Sequence, residues 1–351
     1  MTTVRDLSLI DDPARVRAAD PEGMLDRIRE LGQQVREAWS RTGEVELSRD
    51  LARVRDVTVI GMGGSAIGGD LAAALLIDDI AVPMQVHRDY GLPRYVGRDS
   101  LVIASSYSGN TEETLSGFAE ARKRGAKIVA LTTGGKLAEE AKAAGVPLVT
   151  FSYSARPRAT LGWSLGLVLG ALSRVGLVRD LGADIMTALG ELERYARTAD
   201  LGKELARQLH GRIVGVYGAG PMGVMARRWK GQWNENAKNW SFFDVMPELN
   251  HNAVVGFPHP DIAPEALAII FLRSSRDNPR VSTRFDVTAK LLERARIPHV
   301  DLRFRGANML SEALQAVYLG DHVSFYITLL NGEDPSPNTS IDYLKAELAK
   351  S

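Results

Sequence analysis

VTVIGMGGSAIGGD, residues 57–70, decides how this chain folds. A run of β-branched residues enters a cluster of glycines, and the helix-forming LAAALL follows. Strand, tight turn and helix in that order open a βαβ unit, whose right-handed crossover returns the chain to a parallel neighbour. Outward from this stretch the alternation continues. MQVHRDY (84–90) reads as a second strand. SLVIASSYSGNTEETLSGFAEARKRG, from Ser100, predicts a third strand, a polar loop and a helix opening near Asn110. AKIVALTTGG, LAEEAKAAG and PLVTFSY supply a fourth strand, a helix and a fifth strand. RIVGVYGAG (212–220) then restarts the scheme. PMGVMARRWKGQWNENAK is its helix, and ALAIIFLRS, PHVDLRFRG and LSEALQAVYLGDHVSFYITLLNG complete a second α/β unit. The likeness of VIGMGGSAIGGDLAAALL to VYGAGPMGVMARRW points to two related halves.

The expected organisation follows. Residues 1–50 form a helical segment, in which Met24, Leu25, Ile28, Leu31 and Val35 share one stripe at helical spacing. Residues 51–155 form a first α/β domain and 156–210 a helical connection. Residues 211–351 form a second domain with a Pro-rich turn and a last short helix. The apolar stretch LGWSLGLVLGALSRVGL, Leu161 to Leu177, is too short and too glycine-rich to span a bilayer, which takes about twenty apolar residues. It reads as a helix buried in the core or in a subunit interface.

Bulk numbers exclude several function classes. The 351 residues carry 43 basic and 43 acidic side chains, for a formal net charge of +0. No global field draws the protein to nucleic acid or to an anionic membrane, so an anionic ligand must be held by local groups. The chain contains no cysteine, which removes disulfides, thiolate nucleophiles and cysteine metal sites. The six histidines show no metal-ligand spacing beside a carboxylate. The expectation is a cytoplasmic protein that uses neither metal nor redox cofactor.

Two loops carry chemistry. Gly61 to Asp70 brings clustered glycines to a helix start, where backbone N–H groups and the helix dipole favour an anion. The dinucleotide fingerprint is a poor match, because the next strand ends in His87 and Arg88 rather than in the acidic residue a ribose requires. SSYSGNTEET, Ser105 to Thr114, is more specific. Ser106, Ser108 and Thr111 set hydroxyls around a second helix start, with Gly109 giving room. Hydroxyls and amides grip phosphate without lysine or arginine. The competing reading is plain helix capping by Asn110 or Thr111.

GGS after a first strand, with SYSGNTEET after a later one, resembles the sugar isomerase (SIS) domain, a flavodoxin-like fold that holds phosphosugars. More narrowly, DPEGMLDRIRELGQQVREAW, MGGSAIGGD, SYSGNTEET, PRATLG, NENAK, PELNHN and IDYLKAEL in order make the chain similar to the bifunctional phosphoglucose/phosphomannose isomerases. The resemblance implies two flavodoxin-like SIS subdomains, each a parallel sheet flanked by helices. It also implies interconversion of glucose 6-phosphate and fructose 6-phosphate, with mannose 6-phosphate as a further substrate, in glycolysis and gluconeogenesis.

That reaction needs a phosphate anchor, a base that shuttles a proton between C1 and C2, a ring-opening acid/base group and a cation near the enediolate oxygen. By resemblance Gly64, Ser65, Ser106, Ser108 and Thr111 bind the phosphorylated hexose. Glu235 in WNENAK is the shuttle. His251 in ELNHNA and Lys345 in IDYLKAEL serve ring opening, and Arg158 in RPRATLG stabilises the enediolate. In the family the histidine arrives from the partner subunit, which implies a homodimer. Asn338 and Thr339 fall where the family's pocket floor separates the glucose and mannose epimers. The alternative is a phosphosugar-binding regulatory protein without turnover, which would have no use for the Glu, His and Lys set.

Overall fold

Runs of β-branched residues become strands here because their side chains pack well on a pleated, buried surface, and each strand hands the chain to a helix that covers one face of a parallel sheet. The computed structural model describes residues 6–196, 200–348 and 350. The chain divides into two compact units. One comprises 29–194 with 305–314; the other comprises 1–28, 195–304 and 315–351. Helices α1 (Pro13–Ala18) and α2 (Met24–Arg29) precede the first sheet, as does α3 (Leu31–Thr42). The helical stripe from Met24 to Val35 is thus divided between two helices, with the break at Glu30.

The unit built on 29–194 holds β1 (Asp56–Ile60), α4 (Gly63–Leu75), β2 (Met84–His87), β3 (Ser100–Ser106), α5 (Glu112–Lys123), β4 (Lys127–Thr132), α6 (Gly135–Ala143) and β5 (Leu148–Thr150). The strands pair in the order β2-β1-β3-β4-β5, all parallel. This is the flavodoxin-like order, and its switch point lies between β1 and β3. Every residue of β3 is buried, as a central parallel strand covered on both faces requires.

Helix α7 (Leu161–Val175) settles the open reading of the glycine-rich stretch. It lies in the core of this unit, packed on α3 and α4. Gly162, Gly166 and Gly170 recur every fourth residue and form one face. A Cβ at Gly162 would stand 2.6 Å from the Gln34 Cβ, and one at Gly166 would stand 2.7 Å from the Ala38 Cβ. The glycines let two helix backbones close to a distance that side chains would forbid. Gln34 in turn donates from Nε2 to the Ala159 carbonyl at 2.9 Å, which holds the chain entering α7. Helices α8 (Gly182–Ala196) and α9 (Asp200–Leu209) follow.

The other unit holds β6 (Ile213–Ala219), α10 (Gly220–Glu235), β7 (Ser241–Met246), α11 (Ala263–Ala266), β8 (Leu267–Ser274), α12 (Pro279–Arg294), β9 (His299–Phe304), the later part of α13 (Met309–Leu330) and α14 (Thr339–Leu348). Its parallel order, β7-β6-β8-β9, repeats that of the first sheet without a fifth strand. Strand β7 and helix α12 are absent from the sequence reading. β7 is an edge strand whose burial does not alternate cleanly, so SFFDVM lacks a strand's period. α12 buries only Phe285, Thr288 and Leu292, too sparse a stripe for its pattern to stand out.

Helix α10 is fixed by buried polar contacts. Arg228 Nη2 donates to both Asp321 oxygens at 2.9 and 2.7 Å, Gln232 Nε2 donates to Asp321 Oδ1 at 2.8 Å, and Trp229 Nε1 donates to the Ala316 carbonyl at 2.9 Å. Burial pushes the Asp321 carboxyl up, and the Arg228 guanidinium pulls it back only in part. A charge pair withdrawn from water tolerates little displacement, so these contacts set where α10 ends. Among the described residues no helix is long and apolar enough to cross a membrane.

Candidate functional site

The sequence-predicted residues fall into two groups, one in each unit. In the unit of the first sheet, α4 follows β1 and α5 follows β3, so both helix starts sit at the carboxyl edge of the adjacent strands that flank the switch point. Open α/β sheets bind ligands there. Ser65 lies in the first turn of α4 and its Oγ accepts from the Tyr107 amide at 3.2 Å, which ties the two loops together. Ser106 Oγ and Thr111 Oγ1 stand 3.1 Å apart, Ser106 Oγ accepts from the Gly109 amide at 3.1 Å, and Ser108 Oγ accepts from the Asn110 amide at 3.2 Å. Gly109 has φ 68, in the left-handed region, and a side chain there would strike the Gly134 carbonyl.

Thr111 is the N-cap residue of α5, yet its side chain makes no capping hydrogen bond. The Asn110 carboxamide oxygen accepts from the Lys136 amide at 3.1 Å instead. The capping reading therefore fails for both residues. A hydroxyl that accepts from an amide still has its own hydrogen to donate, so the cluster suits an anion at the start of α5. Gly64 faces the chain before α7: a Cβ there would stand 2.5 Å from the Pro157 carbonyl. That approach sets Arg158, 5% exposed, beside the start of α4. A buried guanidinium is a fixed charge, unlike a surface arginine. The structure thus gathers Gly64, Ser65, Ser106, Ser108, Thr111 and the Arg158 backbone. Arg88, where a dinucleotide fold places its acid, is paired with Asp70.

In the other unit Glu235 ends α10, half-buried, and faces a groove of about 590 Å³. Lys238, Trp240, Asp334, Asn338 and Thr339 share its lining. Asn338 Nδ2 donates to Glu235 Oε2 at 3.2 Å. Lys345 is exposed on α14 and lies outside that lining, about 9 Å along the helix axis from Thr339.

His251 is not brought to Glu235 within one chain. Asn239 Nδ2 donates to the Arg212 carbonyl at 2.9 Å, so the chain after Glu235 sits at the amino end of β6 and β7. His251 is exposed in the short 3-10 turn Glu248–His251, beyond the carboxyl end of β7. The six residues of β7 separate the two ends by about 17 Å at the usual rise per residue. Lys238, the last residue of NENAK, was not singled out in the sequence; it lines the groove and stands at φ 52, a backbone angle that the motif does not announce. Among the described residues no cluster of His, Asp and Glu is arranged to hold a metal ion.

Comparison with known proteins bears on both groups. Residues 50–149 match the SIS domain, and residues 198–348 match the bacterial phospho-glucose isomerase C-terminal SIS domain. A bifunctional phosphoglucose/phosphomannose isomerase from Caldicellulosiruptor bescii is 38% identical over 336 residues, covering 93% of this chain and 99% of that protein. The chain belongs to the bifunctional phosphoglucose/phosphomannose isomerase family. Another member, from Aquifex aeolicus, is 38% identical over 307 residues, covering 87% of this chain and 94% of its own. The C-terminal domain of glucosamine-fructose-6-phosphate aminotransferase from Francisella tularensis matches with a TM-score of 0.73 over 90% of this chain and 98% of that one. At 12% identity that likeness shows the shared SIS fold alone.

Proposed function

We propose that this isomerase interconverts glucose 6-phosphate and fructose 6-phosphate, and also acts on mannose 6-phosphate, by moving one proton between C1 and C2 through an enediolate. The observation that carries the reading is Glu235: a half-buried carboxylate, held by Asn338 beside a groove, at the place where the family motif NENAK puts the proton carrier. In this reading Ser65, Ser106, Ser108 and Thr111 take the phosphate, with the Gly64 backbone giving close approach. Glu235 removes the C2 proton of the open-chain aldose and returns it to C1. The substrate oxygens exchange their own proton in the opposite sense, so the sugar is isomerised with no net electron transfer. Arg158 offsets the negative charge that grows on the enediolate oxygen. His251 and Lys345 protonate and deprotonate the ring oxygen during opening and closure.

The assembly we propose is a homodimer in which the partner subunit's His251 completes each active site. The exposure of His251 and its distance from Glu235 along β7 support this. Cytoplasmic localisation belongs to the same proposal: the chain lacks cysteine, and the charged sugar phosphates it takes do not cross membranes. So do glycolysis and gluconeogenesis, which both need this interconversion. Glu235→Gln keeps the side chain's shape and removes its basicity. Isomerisation of glucose 6-phosphate by this variant, measured with a coupled assay, is expected to fall at least about a thousandfold, the scale of a positioned general base. Near-normal turnover would remove Glu235 from the mechanism.

A further inference from the structure

Resting on the reading of Glu235 as the proton carrier, we infer that Lys238 and Asn338 form a positioning relay that sets the plane of the Glu235 carboxylate. Asn338 Nδ2 donates to Glu235 Oε2 at 3.2 Å, and Lys238 Nζ donates to Asn338 Oδ1, also at 3.2 Å. The same ammonium donates to the Glu235 backbone carbonyl at 2.6 Å and reaches the Pro335 carbonyl at 3.5 Å.

The chemistry of a primary amide gives this arrangement one sense only. An ammonium donates and never accepts, and an ionised carboxylate accepts and never donates. With Lys238 on one side and Glu235 on the other, the amide must turn Oδ1 to the lysine and Nδ2 to the glutamate. The flipped amide would set hydrogen against ammonium and oxygen against carboxylate. Lys238 therefore orients Asn338, and Asn338 orients Glu235. Lys238 itself stands at φ 52, where glycine or asparagine is the easier occupant, and is exposed. Three oxygens within reach of one ammonium explain a lysine there.

A proton shuttle is the kind of group for which such control matters. The carboxylate must face two adjacent carbons in turn, and a small rotation about its last side-chain bond moves its oxygens off that line. The relay also crosses the groove, from the end of α10 to the residue that precedes α14. It couples the carboxylate to the segment that the resemblance assigns to epimer choice.

The test uses the full-length enzyme with glucose 6-phosphate and its C2-deuterated form. Asn338→Ala and Lys238→Met are each expected to lower kcat about tenfold or more while KM stays within about twofold, the signature of an interaction made in the transition state. The primary isotope effect should rise in both, because misaligned proton transfer becomes the slow step. Asn338→Asp keeps the acceptor for Lys238 and removes the donor to Glu235, so it should behave like Asn338→Ala. Lys238→Arg should recover most of kcat. Because Lys238 acts through Asn338, Lys238→Met in the Asn338→Ala background should cost no more than about a further twofold. If Asn338→Ala and Lys238→Met keep the normal kcat and isotope effect while Glu235→Gln is inactive, the relay is wrong and the carrier stands. If Glu235→Gln is active, the carrier reading itself is wrong. Fully additive losses in the double variant also overturn the relay.

Discussion

Mixing two inactive variants tests the proposed sharing of the active site. Glu235 and His251 lie off opposite ends of β7, about 17 Å apart along the strand. A hexose phosphate is too short to span that distance while Glu235 works on C1 and C2 and His251 on the ring oxygen. In a symmetric dimer whose sites each take Glu235 from one subunit and His251 from the other, Glu235→Gln and His251→Ala are each inactive as homodimers. The heterodimer differs: both lesions fall in one site and the second site is intact. Random exchange of equal amounts makes half the dimers mixed, each with half the normal sites, so about a quarter of normal turnover returns. The assay co-expresses the two variants with different affinity tags, purifies the doubly tagged species and compares its kcat with that of the wild type. The doubly tagged fraction should carry about half the normal turnover per dimer. No recovery in a verified heterodimer would show that both residues serve one chain's site, and the distance argument would fail.

Two further outcomes follow from packing and burial. Gly166→Val puts three carbon atoms where a Cβ already stands 2.7 Å from the Ala38 Cβ and 3.0 Å from the Val35 carbonyl, so it should cost about 1–3 kcal/mol or more by overpacking. A lowered midpoint in thermal unfolding checks it, and a stability equal to the wild type would show that α3 and α7 separate freely. Burial pushes the Asp20 carboxyl up, and the Leu25 and Met24 amides pull it back only in part. An acid with a raised folded-state pKa binds its proton more tightly when folded. Its unfavourable contribution is therefore present above that value and relieved as pH falls through it. Asp20→Asn cannot titrate and sets its NH2 against one of the two amides, so relative to that variant the wild-type unfolding midpoint should rise as pH falls through the raised value. A wild-type midpoint that falls relative to the variant toward acid contradicts this.

Much of the fold was legible because local chemistry dictated it. The VTVIG and RIVGVYGAG runs are strands in any parallel sheet, and the glycines after them are where such strands turn into helices. The order SYSGNTEET also announced a hydroxyl-rich helix start, since neighbours in sequence are neighbours at a turn. β7 was not legible. An edge strand is held by pairing with β6 and need not carry a buried stripe of its own. α12 stayed hidden for a related reason, because its short buried stripe depends on the sheet it covers.

Sequence alone also determined the absence of cysteine and supplied the candidates for the chemistry: hydroxyls rather than lysines for an anion, and a glutamate, a histidine and a lysine in recognisable settings. Only the tertiary structure decided how these side chains are disposed. It held Thr111 out of its capping role, packed α7 inside one unit, set His251 off the far end of β7 from Glu235, and placed Lys238 and Asn338 around the carboxylate. Each of these depends on distances between residues far apart in the chain. Packing and burial set those distances, and the order of amino acids along a single segment does not encode them.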